Sequence, residues 1–364
     1  MSHPYRQQPD RAFWKRTVSP YHPMDVGGWY EKRFSFADRA VATAGSCFAQ
    51  HIGRNLRKFE FNYLDTEPAP RGLPEDKRLD YGYEMYSARY GNVYTSRQLL
   101  QLFQRAFGTF TPKEDYWERG EGVVDPFRPT IEPAPFSSVE ELRVQRKIHL
   151  ESVAELFRSA DIFVFTLGLT EAWLSREDGA AFPLCPGTAG GVYDPDAYAF
   201  HNLSVADVIE DMQGFIDLAR GVNPDLRFFL TVSPVPLMAT ATDAQVAVAT
   251  TYSKSVLRAA AGELYQRHDF VDYFPSYEII TSPFMKGYFF EQDGREVSPH
   301  GVAHVMDVFF SQHEVPAGTE AARRVAQGVR NPAPQILPEI SEAERQERVR
   351  CDEELLNSFK DDEA

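Results

Sequence analysis

Cysteine is scarce in this sequence: Cys47, Cys185 and Cys351 are the only three in 364 residues, with no Cys-x-x-Cys pair and no clustered histidines. That spacing argues against both a disulfide framework and a zinc site, and reduced cytosol is the default compartment. Basic residues are also in deficit, 38 against 53 acidic ones, for a formal net charge of -15. Such a balance argues against nucleic acid or an anionic membrane surface as the main partner, and a neutral or weakly charged substrate fits better. No apolar run is long enough to cross a bilayer, and residues 1–9 lack the apolar stretch of a secretory signal, so a cytoplasmic protein is expected. Gly-x-Gly-x-x-Gly and the P-loop pattern are missing as well, which leaves nucleotide binding without a motif.

What is present, 43% hydrophobic and 25% charged residues, suits one sizeable α/β core with insertions. Residues 1–37 scatter Pro4, Pro9, Pro20 and Pro23 among Phe13, Trp14, Tyr21, Trp29 and Tyr30, and read as an extended arm lying against the domain. Strands are expected at 40–44, 62–67, 161–168, 226–233 and 269–274. The run at 161–168 is the strongest, a nearly continuous apolar stretch of the kind covered on both faces. Helical periodicity fills 46–59, 96–107, 138–158, 204–221, 244–266 and the segment after Pro299, with Ser204 and Asp207 spaced as an N-terminal cap. Strands alternating with helices imply a parallel sheet between two helical layers, a three-layer α/β/α sandwich spanning residues 38–313. Residues 109–137 and 182–202 read as loop insertions placed to close over a site. From residue 314 to 364 the chain is charged and reads as a solvated tail or as a helix, expected over 341–358, that docks on a neighbour, with no visible chemistry.

One junction organises this pattern. The apolar run Val41-Ala42-Thr43-Ala44 stops at Gly45, and Phe48, Ile52 and Leu56 then recur at helical spacing. Ser46 therefore sits between a strand and a helix, where N-terminal amides can hold a developing negative charge. Read alone, a serine at this position is either a helix cap or a reactive group.

Residues 45–49 spell Gly-Ser-Cys-Phe-Ala, the name-giving motif of the GSCFA family, which the chain resembles over roughly residues 38–311. That family is similar to the SGNH (GDSL-like) hydrolases, so the resemblance implies an SGNH/flavodoxin-like sandwich with Ser46 as nucleophile. It further implies that Gly91 gives a backbone amide to an oxyanion hole and that Asn92 adds a side-chain amide, although Gly91-Asn92 reads equally well as a turn. In the third SGNH block, Gly-x-Asn-Asp, Gly168 matches the glycine while Thr170 and Glu171 replace the asparagine and the aspartate. Aligning Ser298-Pro299 on the family's His-Pro-Ser-Pro puts Glu296 where the histidine should be. The base then falls to His300, with Glu296, His304 and His51 as alternatives, because an imidazole near pKa 6.5 suits a serine better than a carboxylate near about 4.3.

The activity implied is hydrolysis of an acyl or acetyl ester, for example on a carbohydrate or another small molecule, through an acyl-serine. Ser46 attacks, His300 takes the proton, and the amides of Ser46 and Gly91 with Thr170 hold the oxyanion. No metal and no organic cofactor enter that route. Acyl transfer to a sugar hydroxyl by the same route, and a non-catalytic binding protein on a decayed hydrolase scaffold, are the alternatives. Oligomeric state is not legible in the sequence.

Overall fold

In the computed structural model, which describes residues 3–319, 349–357 and 359, the apolar runs become the strands of a parallel sheet. Strand β1 (Val41–Gly45) leads into helix α1 (Ala49–Lys58), and α2 (Ser96–Ala106) follows. A hairpin of β2 (Trp117–Arg119) and β3 (Gly122–Val124) precedes α3 (Val139–Ser159) and β4 (Ile162–Leu167). Next come β5 (Glu171–Ser175), β6 (Ala181–Phe182), β7 (Tyr198–Asn202), α4 (Val205–Val222), β8 (Arg227–Val232) and α5 (Val246–Arg267). Strand β9 (Val271–Phe274), α6 (Ser276–Thr281) and α7 (Pro299–Phe310) complete the core. The main sheet has the order β1-β4-β8-β9, parallel throughout, with Gly45 opposite Thr166 and Leu167 opposite Val232.

The two-residue period of β4 explains its apolar run. Phe163, Phe165 and Leu167 pack into a cluster with α2, α3, α4 and α5, while Ile162 and Val164 face α1, α6 and α7. Both faces are covered, which makes the architecture a three-layer sandwich. Ser138, Ser204 and Ser298 each accept an amide at a helix start, and Thr95 with Gln98 closes a capping box on α2.

The strand expected at 62–67 is reduced to a single bridge, Tyr63 to Val41, because the chain turns away and Thr66 bonds Ser87 instead. Both insertions hold short antiparallel elements: the β2–β3 hairpin lies in 109–137, and β6 and β7 flank β5 in a separate three-stranded sheet. Strands of two to five residues are too short for periodicity to reveal. In the arm, Tyr30, Phe34 and Phe36 are buried against the sheet, whereas Trp14 and Tyr21 are exposed. Of the helix expected over 341–358, residues 341–348 and 358 lie outside the described residues; Asp352–Asn357 is a short 3-10 helix. Among the described residues no helix is long and apolar enough to cross a membrane.

Candidate active site

Three chain segments meet at the carboxyl ends of β1 and β4, where open α/β sheets place their ligands. Gly45 has φ +144°, and a Cβ there would lie 2.5 Å from the Thr166 carbonyl oxygen, so only glycine lets β1 leave the sheet flush against β4. The Ser46 amide then donates to Thr166 O at 3.1 Å, and the Val93 amide to Gly45 O at 2.9 Å. The Gly168 amide donates to Tyr94 O at 3.0 Å. A Cβ on Gly168 would stand 2.8 Å from the Cβ of Ser46, so the two residues touch.

Ser46 is not a helix cap. Helix α1 begins at Ala49 with Phe48 as its N-cap and no side-chain capping bond, and it is the Ser46 carbonyl that accepts the Ala49 amide, at 2.8 Å. The Ser46 hydroxyl is buried without a hydrogen-bond partner. Buried polar atoms of this kind are uncommon and cost roughly 1–3 kcal/mol, so their retention marks strain or function.

Ser46 lines a small cleft. Cys47, Tyr94, Gly168, Leu169, Ser233 and Leu237 line it too, and Lys254 and Glu353 bring charge. Lys254, on α5, is almost fully buried and donates from Nζ to Gly168 O at 2.5 Å. Burial lowers its pKa to about 8, against an upward pull from the Glu353 carboxylate. Burial likewise raises the Glu353 carboxyl, opposed by Arg295, whose Nη2 lies 3.2 Å from Glu353 Oε2. The neighbouring Cys351 thiol, together with burial, holds the Cys47 thiol well above its ordinary value.

The other residues singled out in the sequence have definite places. Gly91 takes φ +68°, in the left-handed region, with open space where a Cβ would stand. Asn92 Oδ1 accepts the Tyr86 hydroxyl at 2.6 Å, and its Nδ2 donates to Arg350 O at 3.0 Å and to Asp352 Oδ2 at 2.8 Å. Thr170 donates its hydroxyl to Asn202 Oδ1 at 2.6 Å, and Glu171 receives the Thr240 hydroxyl at 2.5 Å and the Ala241 amide at 2.9 Å, which fastens the loop after β8. Of the donors expected for an oxyanion hole, the Ser46 amide, the Thr170 hydroxyl and the Asn92 side-chain amide are therefore already engaged.

No imidazole lines the cleft. His300 meets Tyr288 edge-on with ring centres 5.5 Å apart, and His304 stacks on Phe289 at 5.0 Å, each with a buried, unpartnered Nε2. Burial, together with the nearby His300, lowers the His304 pKa. His51 packs edge-on against Phe48, and burial with the nearby Arg54 lowers it to about 3. Glu296 is exposed, while its neighbour Arg295 is the residue that reaches Glu353. Sequence reasoning missed Lys254, Arg295 and Glu353. A signal existed for the first, because Lys254 shares the apolar face of α5 with Leu257 and Ala261.

The family model for the GSCFA family matches residues 40–309, and the chain belongs to that family. No curated protein and no solved structure matches the chain. Among the described residues there is no cluster of histidine, cysteine and acidic side chains able to hold a metal ion.

Proposed function

We propose that this chain is an SGNH-like serine hydrolase acting on acyl or acetyl esters of a small molecule or carbohydrate, with Ser46 as nucleophile and Lys254 as the group that takes its proton. The observation that carries this reading is the Ser46 hydroxyl itself, buried and unpartnered at a strand-to-helix junction in a cleft that holds a buried lysine. A lysine whose pKa is lowered to about 8 presents a usable fraction of neutral amine near neutrality, and serine–lysine pairs serve as nucleophile and base on unrelated folds. Lys254 takes the role expected of His300 because it lines the cleft, whereas the His300 ring packs with Tyr288 and Phe289.

In this scheme the Ser46 oxygen forms a bond to the ester carbonyl carbon and its proton passes to Lys254 Nζ. The ammonium returns the proton to the departing alkoxide, and water then releases the acid from the acyl-serine. Acyl transfer differs only in the second step, where a sugar hydroxyl replaces water, and product analysis with a carbohydrate acceptor separates the two.

The test is labelling with a fluorophosphonate, followed by peptide mass spectrometry and turnover of a short-chain aryl ester. The expected result is an adduct on Ser46, with turnover abolished in Ser46→Ala and reduced in Lys254→Met by about 10²-fold or more. An adduct elsewhere, or turnover that survives Ser46→Ala, would overturn the assignment.

A further inference from the structure

The charged tail, which the sequence reading left without chemistry, reaches into the cleft. The Arg350 backbone pairs both ways with the Gln50 side chain, its amide donating to Oε1 at 3.2 Å and its carbonyl accepting from Nε2 at 2.9 Å. The Asp352 carboxylate lies between Asn92 Nδ2 at 2.8 Å and the Thr130 hydroxyl at 2.7 Å, and the Asp352 amide donates to the Tyr94 hydroxyl at 3.1 Å. Glu353 lines the same cleft as Ser46 and pairs with Arg295. Asp352 and Glu353 are each only 8% exposed.

Acidic side chains leave water only for donors arranged to receive them. In a chain of formal charge -15, the donors here form a local exception: two cations, Lys254 and Arg295, share one cleft carboxylate. Arg295 is also under-used. Its Nη2 meets Glu353, but its Nε is buried with no partner, so the fork that would grip a carboxylate with two parallel hydrogen bonds is half engaged. Asn92, the side-chain amide that the family resemblance brings to the oxyanion side, is likewise held by the tail rather than by a ligand.

From these contacts we infer that residues 350–353 are a tethered stand-in for the cleft's ligand, and that this ligand carries a carboxylate that competes with Glu353 for Arg295. The inference takes the Ser46 cleft as the reacting site, as proposed above, and names its substrate class: an ester whose acyl or alcohol part bears a carboxylate. An external carboxylate able to engage both Nε and Nη2 satisfies the idle donor and releases the tail. This replaces the expectation of a neutral or weakly charged substrate. Closed, the tail keeps solvent from Ser46; displaced, it frees Asn92 and Arg295 together.

Cys351 reports on the docking because it is buried while the tail is bound. The experiment is the rate of iodoacetamide labelling at Cys351 in the full chain, read by peptide mass spectrometry against added propionate, propionamide or inorganic phosphate at matched ionic strength. Propionate should accelerate labelling saturably, by about tenfold, for a competitor worth one decade of the docking equilibrium, while propionamide and phosphate leave it unchanged. Glu353→Gln should raise the basal rate by a similar factor, and Arg295→Gln should raise it and remove the response to propionate. No response to propionate, or an equal response to propionamide, overturns the inference; an equal response to phosphate overturns the carboxylate assignment. Should Arg295→Gln fail to fold, the parent titration decides alone. Ser46→Ala should respond as the parent does, so a failure of the hydrolase reading and a failure of this one are told apart.

Discussion

The Lys254 ammonium donates to the Gly168 carbonyl at 2.5 Å, and Gly168 is the residue whose missing side chain makes room for Ser46. One residue of the chain thus positions the proposed base with its carbonyl and the proposed nucleophile with its bare Cα. The amide of the same residue ties the end of β4 to Tyr94.

Replacing Lys254 by Met should change how stability depends on pH. In the folded chain the Lys254 pKa is about 8, below the ordinary value of 10.5, so between those values the unfolded chain binds more protons than the folded one. Stability from this group is therefore present in full above the unfolded pKa and lost as pH falls through about 8. Against Lys254→Met, the parent should lose up to about 3 kcal/mol as pH falls from 10.5 to below 8, measured by urea unfolding across that window. Parallel curves for the two proteins would show that the amine is not desolvated.

Ser46→Ala should leave the melting temperature unchanged or slightly higher. The hydroxyl makes no hydrogen bond that substitution would break, and its removal relieves a buried unpaired group. A loss above about 1 kcal/mol would return Ser46 to a structural role.

Gly168→Ala places a methyl group 2.8 Å from the Ser46 Cβ and 3.0 Å from the Tyr94 carbonyl oxygen, and neither is the free end of a flexible side chain. Overpacking of this kind costs about 1–3 kcal/mol, so a clear drop in melting temperature is expected, together with loss of fluorophosphonate labelling at Ser46. Retention of both would mean that the two segments part easily.

The thiols of Cys47, beside Ser46, and Cys351, in the docked tail, are near enough to shift each other's ionisation. Diamide, which accepts two electrons and two protons, should join them as a disulfide, found as a linked peptide in a digest. Cys47→Ser or Cys351→Ser should abolish the link, and Cys185, whose thiol burial pushes up to about 11, should stay outside it. Linkage through Cys185 instead would show that the tail does not dock where described.

The core was legible because its signals are local. The apolar run that became Ile162–Leu167 and the Ser204–Asp207 cap are each written in fewer than ten consecutive residues. The junction at Gly45-Ser46 was legible for the same reason. Lys254, Arg295 and Glu353 were not, because their meaning depends on one another across the chain. Arg295 sits next to Glu296 in sequence, yet one side chain points to the cleft and the other to solvent, and only tertiary structure separates them. Composition left the tail either solvated or docked, because burial of its acidic residues depends on donors such as Arg295 that lie far away in sequence.

The arm has a consequence for how the chain is made. Tyr30 donates to Asp272 Oδ2 at 2.6 Å, a partner 242 residues downstream. At translation rates of about 5–20 residues per second, the phenol leaves the ribosome roughly 10–50 s before the strand that receives it exists. For that interval Tyr30, Phe34 and Phe36 form an unshielded aromatic stretch, and β9 completes the sheet only when it arrives to claim them. Residues made 242 positions before their partner are thus among the last to settle, and their aromatic side chains stay uncovered until β9 follows.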